Sequence, residues 1–291
     1  QNKFIRAGYP PLKKGNDMSR KLSFIPHIPD YKYIREQMMN DLEYRLKSRN
    51  EKTSLGRPLY ERINVQLIMT QECPYNCPFC MERKNPMSGA FEPEEQICAL
   101  KLVLKEHPNA RLTITGGEPS LYPEHVKNLI NVFKNNSNDV FASINTAGYN
   151  PEINGIAHIN LSVNEYVKPD LKMFPKCTYQ TVLSEKDMTI DNIKKIMADN
   201  PEAGSFSFRF LSSTENHEYD VSIWNLLQED NEIKVSTFRI GDFFVYCTFD
   251  WNGKHARITL GDMYQQQHND YQDGYSNIII HPDGTTNTNW K

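Results

Sequence analysis

The chain has 291 residues, with 33 basic and 36 acidic side chains for a formal charge of −3, and 38% hydrophobic residues. That composition supplies a proper core, and the near-neutral charge argues against a nucleic-acid binder relying on a strong basic field. No apolar stretch approaches the ~18–20 residues that span a bilayer, and Gln1–Lys14 lacks the apolar run of a signal peptide, so a cytoplasmic protein is expected.

Taken in chain order, residues 1–29 read as irregular because Pro10, Pro11, Pro26 and Pro29 break any long element. Asp30 then resembles a helix cap, and Ile34, Met38 and Leu42 recur every fourth position, predicting an amphipathic helix from Tyr31 to about Ser48. Ile63–Met69 reads as a strand that delivers Cys73, Cys77 and Cys80 at its C-terminal end. A helix over Pro93–His107, a strand over Leu112–Thr115 and the turn Gly116-Gly117-Glu118-Pro119 follow. Next come a helix over Pro123–Asn135 and strands over Val140–Asn145, Ile159–Val163 and Tyr179–Leu183. A helix over Asp191–Ala198, a strand over Ser205–Leu211 and a helix over Val221–Leu227 complete the series.

Strands alternating with helices imply parallel βαβ units, hence an α/β fold built as an open or closed barrel. In such folds the chemistry gathers at the C-terminal strand ends, where the cysteine loop, the Gly-Gly-Glu-Pro turn, Asn145-Thr146, Ser162 to Asn164 and Arg209 all fall. Two hairpins are predicted beyond: Phe243–Asp250 with His255–Leu260 around Asn252-Gly253, and Ser276–His281 with Thr285–Trp290. The expected division is an N-terminal extension with the amphipathic helix over 1–60, the barrel over 61–215 and a β-rich cap over 216–291. The cap is expected to close the barrel mouth.

Six cysteines are present, three of them within eight residues as Cys-x3-Cys-x2-Cys, with no fourth Cys or His close by. Thiols so spaced point to a metal rather than to disulfides. The residues alone leave two readings open: a structural zinc completed by a distant ligand, or a cubane cluster with one iron free of protein ligands. Cys98, beside Ile97 on a helix, is expected in the core, and Cys177 and Cys247 read as packed thiols.

Cys73-x3-Cys77-x2-Cys80 after the first strand, Phe79 before the last cysteine, and Gly116-Gly117-Glu118-Pro119 after the second strand resemble the radical S-adenosylmethionine (SAM) superfamily. The flavour is that of the branch with molybdenum cofactor biosynthesis protein A and the SPASM and twitch enzymes. The resemblance covers about residues 62–211. It implies a partial (β/α)6 TIM-like barrel in which Cys73, Cys77 and Cys80 hold a [4Fe–4S] cluster and SAM chelates the fourth iron. It further implies that Gly116, Gly117 and Glu118 run beside the methionine amino group and that Phe79 and Val182 lie by adenine. Asn145, Thr146, Ser162 and Asn164 would contact ribose and carboxylate, though many relatives have Asp where Asn164 stands. Arg209 would face the cavity and an anionic group.

Such an enzyme cleaves SAM to a 5′-deoxyadenosyl radical that abstracts hydrogen from a small-molecule or peptide substrate, with a reductase such as flavodoxin or ferredoxin supplying electrons. The hairpins lack the cysteines of auxiliary clusters, so a single cluster is expected. Two other classes stay open: an RNA-modifying radical SAM enzyme, for which Lys13, Lys14 and Arg45–Lys52 are the only basic candidates, and a non-catalytic zinc-stabilised binding protein.

Overall fold

The computed structural model describes residues 20–22, 63–80, 83, 89–210, 222–240, 244–262 and 277–288. The expected amphipathic helix over 31–48 and the basic segments at 13–14 and 45–52 lie outside the described residues. One short element departs from the irregular reading of 1–29: β1 (Arg20–Leu22) is a strand.

Six strands follow in chain order: β2 (Asn64–Ile68), β3 (Arg111–Thr115), β4 (Ala142–Thr146), β5 (His158–Ser162), β6 (Thr178–Leu183) and β7 (Ser205–Phe210). They pair in that order, every pair parallel. Helices α1 (Pro93–Glu106), α2 (Pro123–Asn136) and α3 (Ile190–Asp199) connect the first, second and fifth crossovers. Short 3-10 turns, including Pro151–Ile153 and Leu171–Met173, serve on the third and fourth. Proline opens both α1 and α2, where a missing N–H costs nothing, and Glu94, Glu95 and Glu124 sit in first turns with Lys105 and Lys134 in last turns, complementing the helix dipole.

The C-terminal strands extend this sheet at both edges. After α4 (Ser222–Glu229) come β8 (Lys234–Ile240), β9 (Phe244–Trp251) and β10 (Lys254–Asp262), then β11 (Asn277–Ile280) and β12 (Thr286–Asn287). The single sheet runs β1-β8-β9-β10-β7-β6-β5-β4-β3-β2-β11-β12 and does not close. Both predicted hairpins form, β9 with β10 and β11 with β12. Beyond that, β10 lies parallel to β7 and β11 parallel to β2. The reason is legible in β10: Ala256 and Ile258 are buried while His255, Arg257 and Thr259 are not, the same two-faced pattern as the barrel strands, so its apolar face continues their core. β8 was not anticipated.

The sheet's apolar face is covered by the helices. Val65, Leu67, Leu112, Ile114, Ile144 and Leu161 pack with Leu100, Leu104, Leu129, Ile130 and Phe133 of α1 and α2. A second cluster joins Phe206, Phe208, Ala256 and Ile258 to Ile193 and Met197 of α3 and Trp224 and Leu227 of α4. Cys177 and Cys247 belong to these clusters, as expected. Cys98 does not: it is exposed, because the buried stripe of α1 runs through Gln96, Ala99, Leu100, Val103 and Leu104.

The opposite face is polar. Parallel sheets buried on both faces read as continuous apolar runs, and closed βα barrels fill their interior with branched side chains. Here Asn145 pairs in register with Asn160, Asn160 with Thr178, Thr178 with Ser205, and Ser205 with His255. One step nearer the strand ends run Ser162, Gln180, Ser207 and Arg257. Hydrogen bonds cross this face at Thr113–Ser143 (3.2 Å), Asn160–Asn145 (2.9 Å), His158–Thr178 (2.9 Å) and Thr178–Ser205 (2.8 Å).

Candidate active site

β2 ends in the loop that carries the three cysteines, and the parallel ladder with β3 continues past the strands to hold it. Met69 donates its N–H to Thr115 O (2.9 Å), Gly117 to Thr70 O (2.6 Å) and Glu118 to Glu72 O (2.7 Å). A Cβ on Gly117 would lie 2.1 Å from Glu72 O, and one on Gly116 would lie 2.7 Å from Thr70 O, with φ at +117°. Glycine is therefore required at both positions for the two backbones to meet. The resemblance implied that these glycines make room for a cofactor; the close approach visible here is to the cysteine loop itself.

Glu118 is fully buried and binds four donors. Oε1 accepts from Ser120 N–H (3.0 Å), Ser120 O–H (2.6 Å) and the Thr146 hydroxyl, and Oε2 accepts from Ala147 N–H (2.6 Å). The carboxylate thus ties the turn after β3 to the end of β4. Thr146 is buried, its hydroxyl committed to Glu118 and also accepting from Gly148 N–H (2.9 Å).

The three thiols are partly buried, and Cys80 N–H donates to Cys77 O (3.2 Å). Burial pushes the Cys73 thiol up, and the Glu118 carboxylate and the other two cysteines add to the rise against a lowering hydrogen bond at the Tyr75 backbone. Cys77 is raised by burial and by Cys80, with Arg83 and a side-chain hydrogen bond to Asn164 acting the other way. Three thiols whose anions would repel one another and the Glu118 carboxylate are a donor set that a soft cation stabilises as thiolates. Among the described residues no three His, Cys, Asp or Glu side chains converge on a single-ion site, whereas thiolates of a cubane each bind a different iron.

Around this loop the structure gathers several of the expected residues. Asn164 Oδ1 accepts from Tyr166 N–H (2.8 Å) and Val167 N–H (3.1 Å), fixing the turn after β5 beside Cys77. Phe79 meets Tyr166 edge to face, with ring centroids 6.1 Å apart. Asn145, half-buried, accepts from Asn160 across the polar face. Ser162 lies at the end of β5, in register with Gln180. Val182 and Arg209 face each other in register near the ends of β6 and β7, four and five strands from β2 in the sheet order.

Sequence reasoning missed a buried clasp behind the loop. Gln96 on α1 is fully buried; its Nε2 reaches Ile68 O (2.9 Å), Met69 O (3.2 Å) and His281 O (3.0 Å), and its Oε1 accepts from His125 Nε2 (2.9 Å). It joins the last residues of β2 to the end of β11 and to α2. Burial holds the His125 imidazole down at about 4, so it stays neutral with Nε2 carrying the proton. The signal available was a lone Gln within the apolar stripe of α1, which the periodicity alone reads as a break. Arg257 was also missed; its Nε–H donates to Ser207 Oγ (2.9 Å).

A tri-thiol loop at the C-terminal end of the first strand of an open, mostly parallel α/β sheet, tied to a glycine turn at the end of the second, is a candidate metal site. Residues 67–184, from within β2 to just past β6, match the model of the Radical SAM superfamily. No curated protein matches the chain by sequence. Among solved structures it is similar in fold to native anSMEcpe with bound AdoMet and Cp18Cys peptide (14% identity, TM-score 0.43, 58% of each chain covered). It is also similar to Streptococcus suis SuiB bound to precursor peptide SuiA (16% identity, TM-score 0.47), covering 89% of this chain and 72% of SuiB. The chain spans 58% of the length of the anSMEcpe chain.

Proposed function

We propose that this chain is a radical SAM enzyme that holds one [4Fe–4S] cluster on Cys73, Cys77 and Cys80 and binds SAM beside it. The observation that carries the reading is the tri-thiol loop, fastened by Gly117, Glu118 and Gln96 at the mouth of a barrel with a polar interior. When bound, the cluster and SAM supply a 5′-deoxyadenosyl radical able to take hydrogen from an unactivated C–H bond of a small molecule or peptide.

The chain's own residues set the frame for that chemistry. Glu118 fixes the turn over which the methionine end of SAM would lie, by fastening Ser120, Thr146 and Ala147. Asn164 holds the β5 turn against Cys77, and Phe79 with Tyr166 offers an aromatic wall for adenine. Asn145, Ser162, Val182 and Arg209 stand at strand ends suited to the remaining contacts. A flavodoxin- or ferredoxin-type reductase would supply the electron.

The test is anaerobic reconstitution with iron and sulfide, then dithionite and SAM, with 5′-deoxyadenosine and methionine quantified by mass spectrometry. A brown protein near four irons per chain that releases 5′-deoxyadenosine, with both properties lost in Cys77→Ala, is the expected result. A colourless protein holding one zinc and leaving SAM intact would sink it.

A further inference from the structure

Arg257 stands on the polar face of the sheet in the middle of β10, in register with Ser207, and is partly buried there. Ser207 Oγ takes its Nε–H at 2.9 Å, and Ser207 is itself fully buried. Among the described residues no carboxylate pairs with the guanidinium, and its terminal nitrogens make no hydrogen bond. Ser207 and, beyond it, Gln180 share its row, while the nearest carboxylate on the adjoining strand, Asp250 of β9, is one step back and paired with His255 (2.8 Å). His158 is close enough for the Arg257 charge, after desolvation, to help hold its imidazole below the usual range.

Arginine does not give up its proton, and burying a guanidinium without a counter-charge is costly unless an anion completes it. With Nε fixed by Ser207, the remaining N–H groups form a planar fork that suits carboxylate or phosphate oxygens. Arg209 lies one step nearer the strand ends on the adjoining strand, in register with Thr259. An anion on Arg257 would therefore lie on the polar face in the row of Ser162, Gln180 and Ser207, at the level where the cysteine loop leaves β2.

We infer that the polar interior takes a substrate bearing a carboxylate or phosphate, and that this anionic group is seated on Arg257 with Ser207 orienting the guanidinium. The inference deepens the proposed function, on which it rests for calling the ligand a substrate. Anchored at its charged end, such a substrate presents a C–H bond upward toward the strand ends.

The experiment uses the full chain without cluster or SAM, so it is independent of reconstitution. Isothermal titration calorimetry is run with inorganic phosphate, with glutarate and with neutral glutaramide, and the side-chain Nε–Hε resonance of Arg257 is followed by 15N NMR. Saturable binding of phosphate or glutarate below about 10 mM, with no binding of glutaramide, is expected; the anion that binds identifies the phosphate or carboxylate source. Arg257→Gln should weaken that binding at least tenfold, and Ser207→Ala, which keeps the charge, should weaken it severalfold while the Nε–Hε resonance shifts. Circular dichroism checks that each variant is folded, and Ser207→Ala carries the test if Arg257→Gln is not. Absence of saturable anion binding, or equal affinity in wild type and variants, overturns the inference while leaving the radical reading intact. Failure of cluster assembly would instead sink that reading and leave the anion site standing.

Discussion

Glu118→Gln is the substitution that best separates a positioning carboxylate from a merely polar one. The wild-type side chain is fully buried and accepts four hydrogen bonds, three at Oε1 and one at Oε2 from Ala147 N–H at 2.6 Å. In the amide, one oxygen can still serve Ser120 and Thr146, but an NH2 then points at the Ala147 N–H. One charge-assisted bond is lost, about 1.5–3 kcal/mol, and the Ala147 donor is left buried and unsatisfied at about 1–3 kcal/mol. These terms overlap, so a net loss of about 2–4 kcal/mol is expected, a large share of the ~5–15 kcal/mol that holds a domain together. At ~2–4 °C per kcal/mol for a chain of this size, the melting temperature should fall by about 4–16 °C. Thermal unfolding by circular dichroism measures this, and iron content after reconstitution should fall with it because the cysteine loop is tied to the same turn. A melting temperature within about 1 °C of wild type would refute the assignment of these four contacts as the fastening of the loop.

Gly117→Ala should destabilise the fold by about 1–3 kcal/mol or more in urea titrations, since its Cβ meets backbone, at 2.1 Å from Glu72 O, rather than a side chain that can move. Stability should also fall on acidification below pH 6.5, because the unfolded His125 takes up a proton that the buried, folded ring resists until about pH 4. Full expression of that shift is about 3 kcal/mol, and His125→Gln should flatten the pH dependence measured by urea unfolding between pH 7.5 and 4.5. Native alkylation with maleimide, read by peptide mass spectrometry, should modify exposed Cys98 quickly. Cys177 and Cys247, buried and pushed up to about 11 and about 12, should stay unmodified. Cluster loading should protect Cys73, Cys77 and Cys80 from the same reagent.

Much of the barrel was legible because period-2 alternation on one face and Gly or Pro punctuation between elements are local signals. Val65 and Leu67, or Phe206 and Phe208, announce strands whatever surrounds them. The cysteine loop and the Gly-Gly-Glu-Pro turn were legible for the same reason, as short motifs at strand ends. Parallel pairing of β10 with β7 and of β11 with β2 is a long-range matter that no local pattern encodes. Gln96 was invisible because its role depends on carbonyls from β2 and β11 meeting behind α1. Cys98 was misplaced by a single helical step, since Ile97 beside it is itself only partly buried and the buried stripe passes through Gln96 and Ala99.

The placement of β11 has a consequence for the order in which the molecule matures. β2, the strand that delivers the three thiols, gains one neighbour early, from β3, but its other neighbour is synthesised only near residue 280. Closing so long a loop is slow, and until it happens the strand that bears the cysteine loop is an unpaired edge and Gln96 lacks its His281 partner. A nascent chain released before that point would hold Cys73, Cys77 and Cys80 beyond a strand with a single neighbour, so the fastening of the cysteine loop waits on residues 277–281 rather than on completion of the six parallel strands.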